Sequence, residues 1–407
     1  MTEATEILAK RRPKHVRIVG LICSAHFVSH YYVLVLPPLF PFVRAEYGVS
    51  YTEIGLAMAA FNVVSAVLQT PAGFLVDWLG ARALLIAGLL FGAVAFTVAG
   101  MVHSFWLLVV MFGLAGVGNT VYHPADYALL SHHVPPRQIG QAFSVHTFAG
   151  ILGSAIAPGS LLLMQSLWGW RGAFIGAGVL GFAVAAFLVA MSEDIEEPAA
   201  APRKVDTKTA SWRILLSSPI LLNLLFFVLL ALMSGGLSNF SVVALGALEQ
   251  TPVAMANAAL SCHLLLSAVG VLIGGLIAAR TSYHGTVAAI GLTVLAGFIL
   301  VIATVGLGPW QLVMIMGVAG LFFGAVMPSR DMIVREATPA GSFGKVFGFV
   351  TTGFNLGGII SPLMYGAIMD RGHPQWVFLV VAASAVAAIA TVVWRPRRAI
   401  MSAASAA

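Results

Sequence analysis

Charge is scarce in this chain of 407 residues. Asp, Glu, Lys and Arg together supply 9% of it and apolar residues 59%, whereas a soluble domain carries roughly 25% charged residues. The chain is long enough for a large soluble core, but at a mean hydropathy of +0.96 its surface would not be solvated by water. Cysteine is scarcer still. Cys23 and Cys262 lie in apolar runs of different halves, which excludes a disulfide framework and a cysteine metal motif. Carboxylates number 15 and there is no His-Glu-x-x-His, so no metal and no other cofactor is expected. The glycine-rich stretch Gly113–Gly118 is not followed by Lys-Ser/Thr, so it is not a phosphate loop and ATP is not expected to drive this protein. An enzyme is not expected either. Ser29 beside His30 is the best nucleophile–base pair on offer, and nothing in the sequence orients it.

What the chain has is a repeat. Shifted by 204 positions, Trp106 falls on Trp310, Pro124 on Pro328, Gly140 on Gly344, Gly153 on Gly357, Pro158 on Pro362 and Phe174 on Phe378. Upstream the shift is 202, with Ser65-Ala-Val67 on Ser267-Ala-Val269 and Gly73 on Gly275. The matches are mostly Gly and Pro, residues held by backbone geometry rather than by surface chemistry. A duplicated, strongly apolar half predicts a transporter built from two parallel repeats.

A membrane span needs roughly 20 apolar residues. Twelve such runs are read at about 18–42, 53–76, 82–102, 106–130, 139–166, 171–191, 217–245, 253–278, 284–304, 309–333, 343–368 and 374–394. The basic N-terminal stretch is followed by an apolar run too long for a cleavable signal, so it is read as the start of the first span. The fold expected is an all-α membrane protein of two parallel six-helix repeats. Residues 1–191 and 216–407 would form the two bundles, with a polar, Pro/Ala-rich linker at 192–215. Lys and Arg cluster in the loops on one side, among them Arg82, Arg137, Arg203, Lys204, Arg280, Arg335 and Lys345, against Arg44, Arg171 and Arg371 on the other. By the positive-inside rule both termini and the linker are cytoplasmic. The net charge of +6 is thus a topology signal, and no nucleic-acid partner is expected.

Between spans two and three runs Gly73-Phe-Leu-Val-Asp77-Trp78-Leu-Gly80-Ala-Arg82. It resembles the loop signature of the major facilitator superfamily, Gly-x-x-x-Asp-Arg/Lys-x-Gly-Arg/Lys-Arg/Lys, except that Trp78 stands where a basic residue is usual. Span four carries Gly116-Val-Gly118-Asn119-Thr-Val-Tyr-His123-Pro124 and span five opens with Gly140-Gln141-Ala-Phe143, which resemble the fosmidomycin-resistance-like branch. The resemblance implies the two-bundle fold and transport by alternating access. It also implies that Gly73, Asp77, Gly80 and Arg82 act in gating, with Asp77 meeting the start of span eleven at Gly341–Gly344 when the cytoplasmic side is closed. It does not give the substrate.

Ionisable groups inside spans are costly and mark pathways. Those present are His26, His30, His123, Asp126, His146, His263, Arg330 and Asp331. His26 and His30 are four residues apart and share a helix face. These histidines can relay protons, or each can simply bond a neighbouring helix. Asn119, Asn239, Asn355 and Gln69 can orient a solute or join helices, each contact worth roughly 1 kcal/mol. Asp126 and Arg330 are paired by the repeat and are expected to form a gate on the cytoplasmic side, an ion pair made when the site faces outward and broken when it opens inward. The competing reading pairs Arg330 with Asp331, or with a substrate anion, and Asp126 with a nearby His. The function expected is proton-coupled secondary transport of a small organic anion across the cytoplasmic membrane by a monomer. The alternative is efflux of drugs by proton antiport.

Overall fold

The computed structural model describes residues 14–135, 137–191, 212–338 and 343–393. The described residues form helices joined by short turns. α1 (Lys14–Val33) and α2 (Phe40–Tyr47) share the first span, and α3 (Tyr51–Leu79) and α4 (Ala81–Met101) are the second and third. The fourth is split into α5 (Phe105–Asn119) and α6 (Tyr122–His133). α7 (Ile139–Ala190) carries the fifth and sixth, and α8 (Ser218–Ser234) and α9 (Ser241–Glu249) the seventh. α10 (Val253–Ala278), α11 (His284–Thr304), α12 (Pro309–Ala337), α13 (Phe343–Asp370) and α14 (Gln375–Val393) complete the set. Among the described residues, eleven stretches are long and apolar enough to cross a membrane. One of them is α7, whose 52 residues would reach ~78 Å at 1.5 Å per residue. It reverses at Gly169 (φ 72°), where a side chain would be strained, and so supplies two spans. That makes twelve, as the composition predicts. The greater part of the expected linker, 192–211, lies outside the described residues.

Prolines and glycines decide where spans break. Pro37 and Pro38 end the first helix in a short 3-10 turn at Pro37–Leu39. Pro124 lacks the N–H that would continue α5 into α6, and the chain steps at Thr120–Val121. The seventh span opens into a π-helix at Gly235–Phe240, where two glycines tolerate the wider turn. The expected proline matches hold: Pro124 and Pro328 sit in spans four and ten, Pro158 and Pro362 in spans five and eleven.

The two halves pack by one plan. α1 lies on the first half of α7 as α13 lies on α8, and α3 lies on α5 as α10 lies on α12. Gly116 backs onto the Phe61 carbonyl and Gly320 onto the His263 carbonyl, and a methyl group at either would collide. Gln375 at the start of α14 donates to the Ala303 carbonyl (2.9 Å), as Arg171, its partner under the 204 shift, donates to the Val102 carbonyl. Trp106, Trp168, Trp310 and Trp376, all exposed, lie at the end away from the termini, the level at which aromatic belts meet a membrane–water interface.

We call the end that carries residues 14 and 393 proximal and the opposite end distal. The halves meet along two seams, α3 on α13 and α7 on α10. At the distal end a Cβ on Gly55 would stand 2.5 Å from the Pro362 carbonyl oxygen, and one on Gly366 2.7 Å from that of Tyr51. Gly366→Val is therefore expected to wedge this seam apart. The measurement is labelling of a cysteine placed at Asn62 by an impermeant reagent added from the distal side. An unchanged labelling rate would remove the seam's role.

Candidate functional site

A cavity of about 990 Å³ lies between the halves. Its lining runs from Asn62, Ser238 and His263 near mid-membrane to Phe143, Ser144 and Leu276 near the proximal helix ends. The distal seam closes the other end, so the cavity opens proximally.

Beside it, inside the first half, four histidines surround one carboxylate. α1 brings His26 and His30, α6 brings His123 and Asp126, and α7 brings His146. Asp126 is 0% exposed, and its Oδ2 lies 2.8 Å from His146 Nε2 and 3.2 Å from His26 Nδ1. The His26 ring stacks on that of His146 with centroids 3.6 Å apart, and the rings of His30 and His123 follow at 4.7 and 5.4 Å. Asp126 Oδ1 and His146 Nδ1 are buried without hydrogen-bond partners. Gly150 makes room for this packing, since a Cβ there would stand 2.7 Å from His26 Nε2 and 2.9 Å from the His30 ring. His30 lines the cavity, 3.4 Å from Ser154 Oγ, and His123 is exposed beside Tyr127. The cluster therefore reaches the cavity through His30.

The sequence shows no metal-ligand spacing, yet the fold brings His26, Asp126 and His146 atoms within 4.8 Å of one another. The reason is tertiary: the three residues come from three helices. Ser29, the suggested nucleophile, bonds its own helix at the His26 carbonyl (2.8 Å).

The expected Asp126–Arg330 pair is not made in this conformation. Asp126 points into its own bundle. Arg330 holds Asp331 Oδ1 through Nε and Nη2, both at 2.8 Å, and lies over the rings of Phe227 and Phe354 at 4.9 and 5.2 Å. The Arg330–Asp331 contact is the one the competing reading names, and with the cavity open proximally the gate reading also expects its own pair to be broken. Arg330 and Asp331 both line the cavity toward its proximal mouth.

Other expected residues are placed elsewhere. Asn119 donates to Ser65 Oγ (3.3 Å) and joins spans two and four, and Asn355 is not among the cavity residues. His263 bonds the Met316 carbonyl (3.1 Å) while still lining the cavity. Gly73 has open space around it, and Gly80 (φ 93°) alone makes the turn between α3 and α4. The Asp77 side chain, and 341–342 of the segment it was expected to meet, lie outside the described residues. The cavity's hydroxyl-bearing residues Ser234, Ser238, Ser267 and Ser361 were missed, because a serine in an apolar helix gives no sequence sign of which way it faces.

Two matched six-helix halves around a cavity open at one end define the architecture of alternating-access membrane carriers. The chain belongs to the Major Facilitator Superfamily, whose family model matches residues 22–251 and 230–406. It is 32% identical over 143 residues to an Escherichia coli protein described as "Probable L-galactonate transporter", covering 35% of this chain and 32% of that one. It is 30% identical over 164 residues to a Cupriavidus necator protein described as "Probable sulfoacetate transporter SauU", covering 40% and 38%. The Escherichia coli fosmidomycin resistance protein is 23% identical over 141 residues, covering 35% and 34%. The chain thus spans about a third of the length of the curated relatives it matches. Among solved structures, a mutant of the nucleoside transporter NupG shares the fold with a TM-score of 0.78 at 14% identity, covering 94% of this chain and 99% of that one. A bacterial homologue of the human lysosomal transporter Spinster, captured inward-facing and occupied, gives 0.74 at 12% identity, covering 94% and 96%.

Proposed function

We propose that this protein is a secondary transporter that carries a small organic anion together with protons across the cytoplasmic membrane. Both termini and the 192–215 linker between the bundles 1–191 and 216–407 would be cytoplasmic, as the loop charges indicate, so the proximal opening faces the cytoplasm. The observation that carries the reading is Asp126, wholly buried, without a Lys or Arg partner among the described residues, and one histidine away from the cavity. An unpaired carboxylate in such a place costs several kcal/mol. A proton shared with His146 or His26 removes the charge, and His30 gives it an exit to the cavity. Arg330 in the mouth of the cavity provides the fixed positive charge for an arriving anion, which competes with Asp331 for it. The names of two relatives, for galactonate and sulfoacetate, are those of organic anions.

Efflux of apolar drugs is the second reading. It is favoured by Phe143, Phe148, Phe323 and Phe354 along the proximal part of the cavity and by relatives named multidrug resistance protein MdtH.

The test is uptake of labelled galactonate or sulfoacetate into proteoliposomes under an inward proton gradient. One proton carried with one monoanion accumulates it about tenfold per pH unit, 1.4 kcal/mol. An uncoupler should abolish the accumulation and a metal chelator should leave it unchanged. Accumulation that survives the uncoupler would refute proton coupling.

A further inference from the structure

Hydroxyls in membrane helices commonly bond back to the preceding turn. Here Ser160 donates to Ile156, Thr293 to Ala289 and Thr304 to Leu300. Around one wall of the cavity the pattern stops. Ser234, Ser238 and Asn239 of the seventh span, Ser267 of α10 and Ser361 of α13 all line the cavity, and none has a side-chain hydrogen-bond partner among the described residues. Three of the five sit in or beside the π-helix Gly235–Phe240, whose wider turn is a feature of functional sites. Ser361 packs directly on the face of Gly235, where a Cβ would collide with its Oγ. His263 lies one turn before Ser267 on the same helix and lines the same cavity. The result is a wall of four hydroxyls and one amide, all able both to donate and to accept. Across the cavity stands His30, the cavity-side member of the histidine cluster.

We infer that this wall is a hydroxyl-recognition shelf, and that the substrate is a polyhydroxylated carboxylic acid. Its hydroxyl groups pair with Ser234, Ser238, Asn239, Ser267 and Ser361 of the second half, and its carboxylate faces His30 of the first. The inference rests on the anion reading for the carboxylate end alone; the shelf itself stands on the unpartnered side chains. Such a substrate bridges the two halves, which is what a ligand must do to bias their rocking. A site built to bond hydroxyls rejects an analogue that lacks them, because its own polar groups are then left unpaired against an apolar chain.

The experiment compares three six-carbon probes on the purified full-length protein by calorimetry and by inhibition of proteoliposome uptake. They are gluconate (hydroxyls and a carboxylate), hexanoate (a carboxylate alone) and sorbitol (hydroxyls alone). Gluconate should bind at least tenfold more tightly than the other two. Ser238→Ala combined with Asn239→Ala should bring gluconate down to the level of hexanoate and leave hexanoate unchanged, while Thr293→Val, outside the cavity, leaves all three as they were. Sorbitol binding as well as gluconate, with both lost in the double variant, keeps the shelf and removes the anion reading. Hexanoate binding as well as gluconate overturns the shelf and keeps the anion reading. Binding of none of the three overturns both. The probe series on the unaltered protein decides the matter even if the double variant does not fold.

Discussion

Asp126→Asn should abolish gradient-driven accumulation of substrate while leaving exchange of substrate across the membrane within a few-fold of normal. The asparagine keeps the shape of the carboxyl but cannot take up or release a proton, so it imitates the permanently protonated state. Among the described residues, the titratable groups around Asp126 belong to the first half. His26, His30 and Cys23 come from α1, Tyr122, His123 and Tyr127 from its own helix, and His146 from α7. None is a fixed positive charge, so the proton is the compensating charge that the chain itself can supply. The sign follows. In the proposed symport, protonation from the outer side loads the carrier, so accumulation should rise as the outside is acidified and fall as it is made alkaline. In the asparagine variant that dependence should flatten. Loss of a tenfold gradient corresponds to about 1.4 kcal/mol of coupling. His146→Ala should act in the same direction, because it removes the 2.8 Å partner of the carboxylate. A variant that reaches the membrane normally and still accumulates substrate against its gradient would show that the coupling proton binds elsewhere.

The second large effect is expected at the distal end. Asp370, the last residue of α13, reaches across the seam and accepts from the Tyr51 N–H (2.7 Å), the Thr52 N–H (2.9 Å) and Thr52 Oγ1 (2.5 Å). It thereby caps the start of α3, a helix of the other half, whose own cap Ser50 is already engaged with Glu53. A carboxylate at a helix N-terminus satisfies unpaired N–H groups and opposes the dipole there. Loss of such a cap costs ~0.5–2 kcal/mol. Within one helix that cost would fall on folding. Here it falls on the equilibrium between distally closed and distally open forms, because the contact exists in the closed form. Asp370→Ala should therefore shift that equilibrium by ~2- to 30-fold toward the distally open form. Asp370→Asn, which retains an acceptor, should fall between. A cysteine at Ser238 or Asn62, facing the cavity, should label faster from the distal side in the alanine variant. Equal rates in all three proteins would leave Asp370 as a surface residue with no part in closure.

Much of this was open to reading before any coordinates. Twelve apolar runs and a 204-residue echo of prolines and glycines imply twelve spans in two equivalent halves. They do so because a hydrocarbon layer demands helices of a set length, and because Gly and Pro mark where helices touch or break. Gly116 and Gly320 show the reason, each letting one carbonyl of a neighbouring helix approach where a methyl group would not fit. The pairing of His26 with His30 was also legible, since four residues is one turn. The break in the seventh span was not, although Gly235-Gly236 permits it.

What the sequence by itself determined, then, was the membrane class, the number of spans, the twofold plan and the short roster of ionisable residues. All of these follow from local chemistry repeated along the chain. Which residues meet was decided by the tertiary structure alone. His26, Asp126 and His146 are separated by up to 120 positions and converge because α1, α6 and α7 pack together. With the cavity open proximally, Arg330 holds its neighbour Asp331 while Asp126 turns inward to the histidines. Serines that look alike in sequence divide into those bonded to their own helix and those that face the cavity. The physical reason is the rotation of each helix about its axis, which an almost uniformly apolar helix does not write into its sequence.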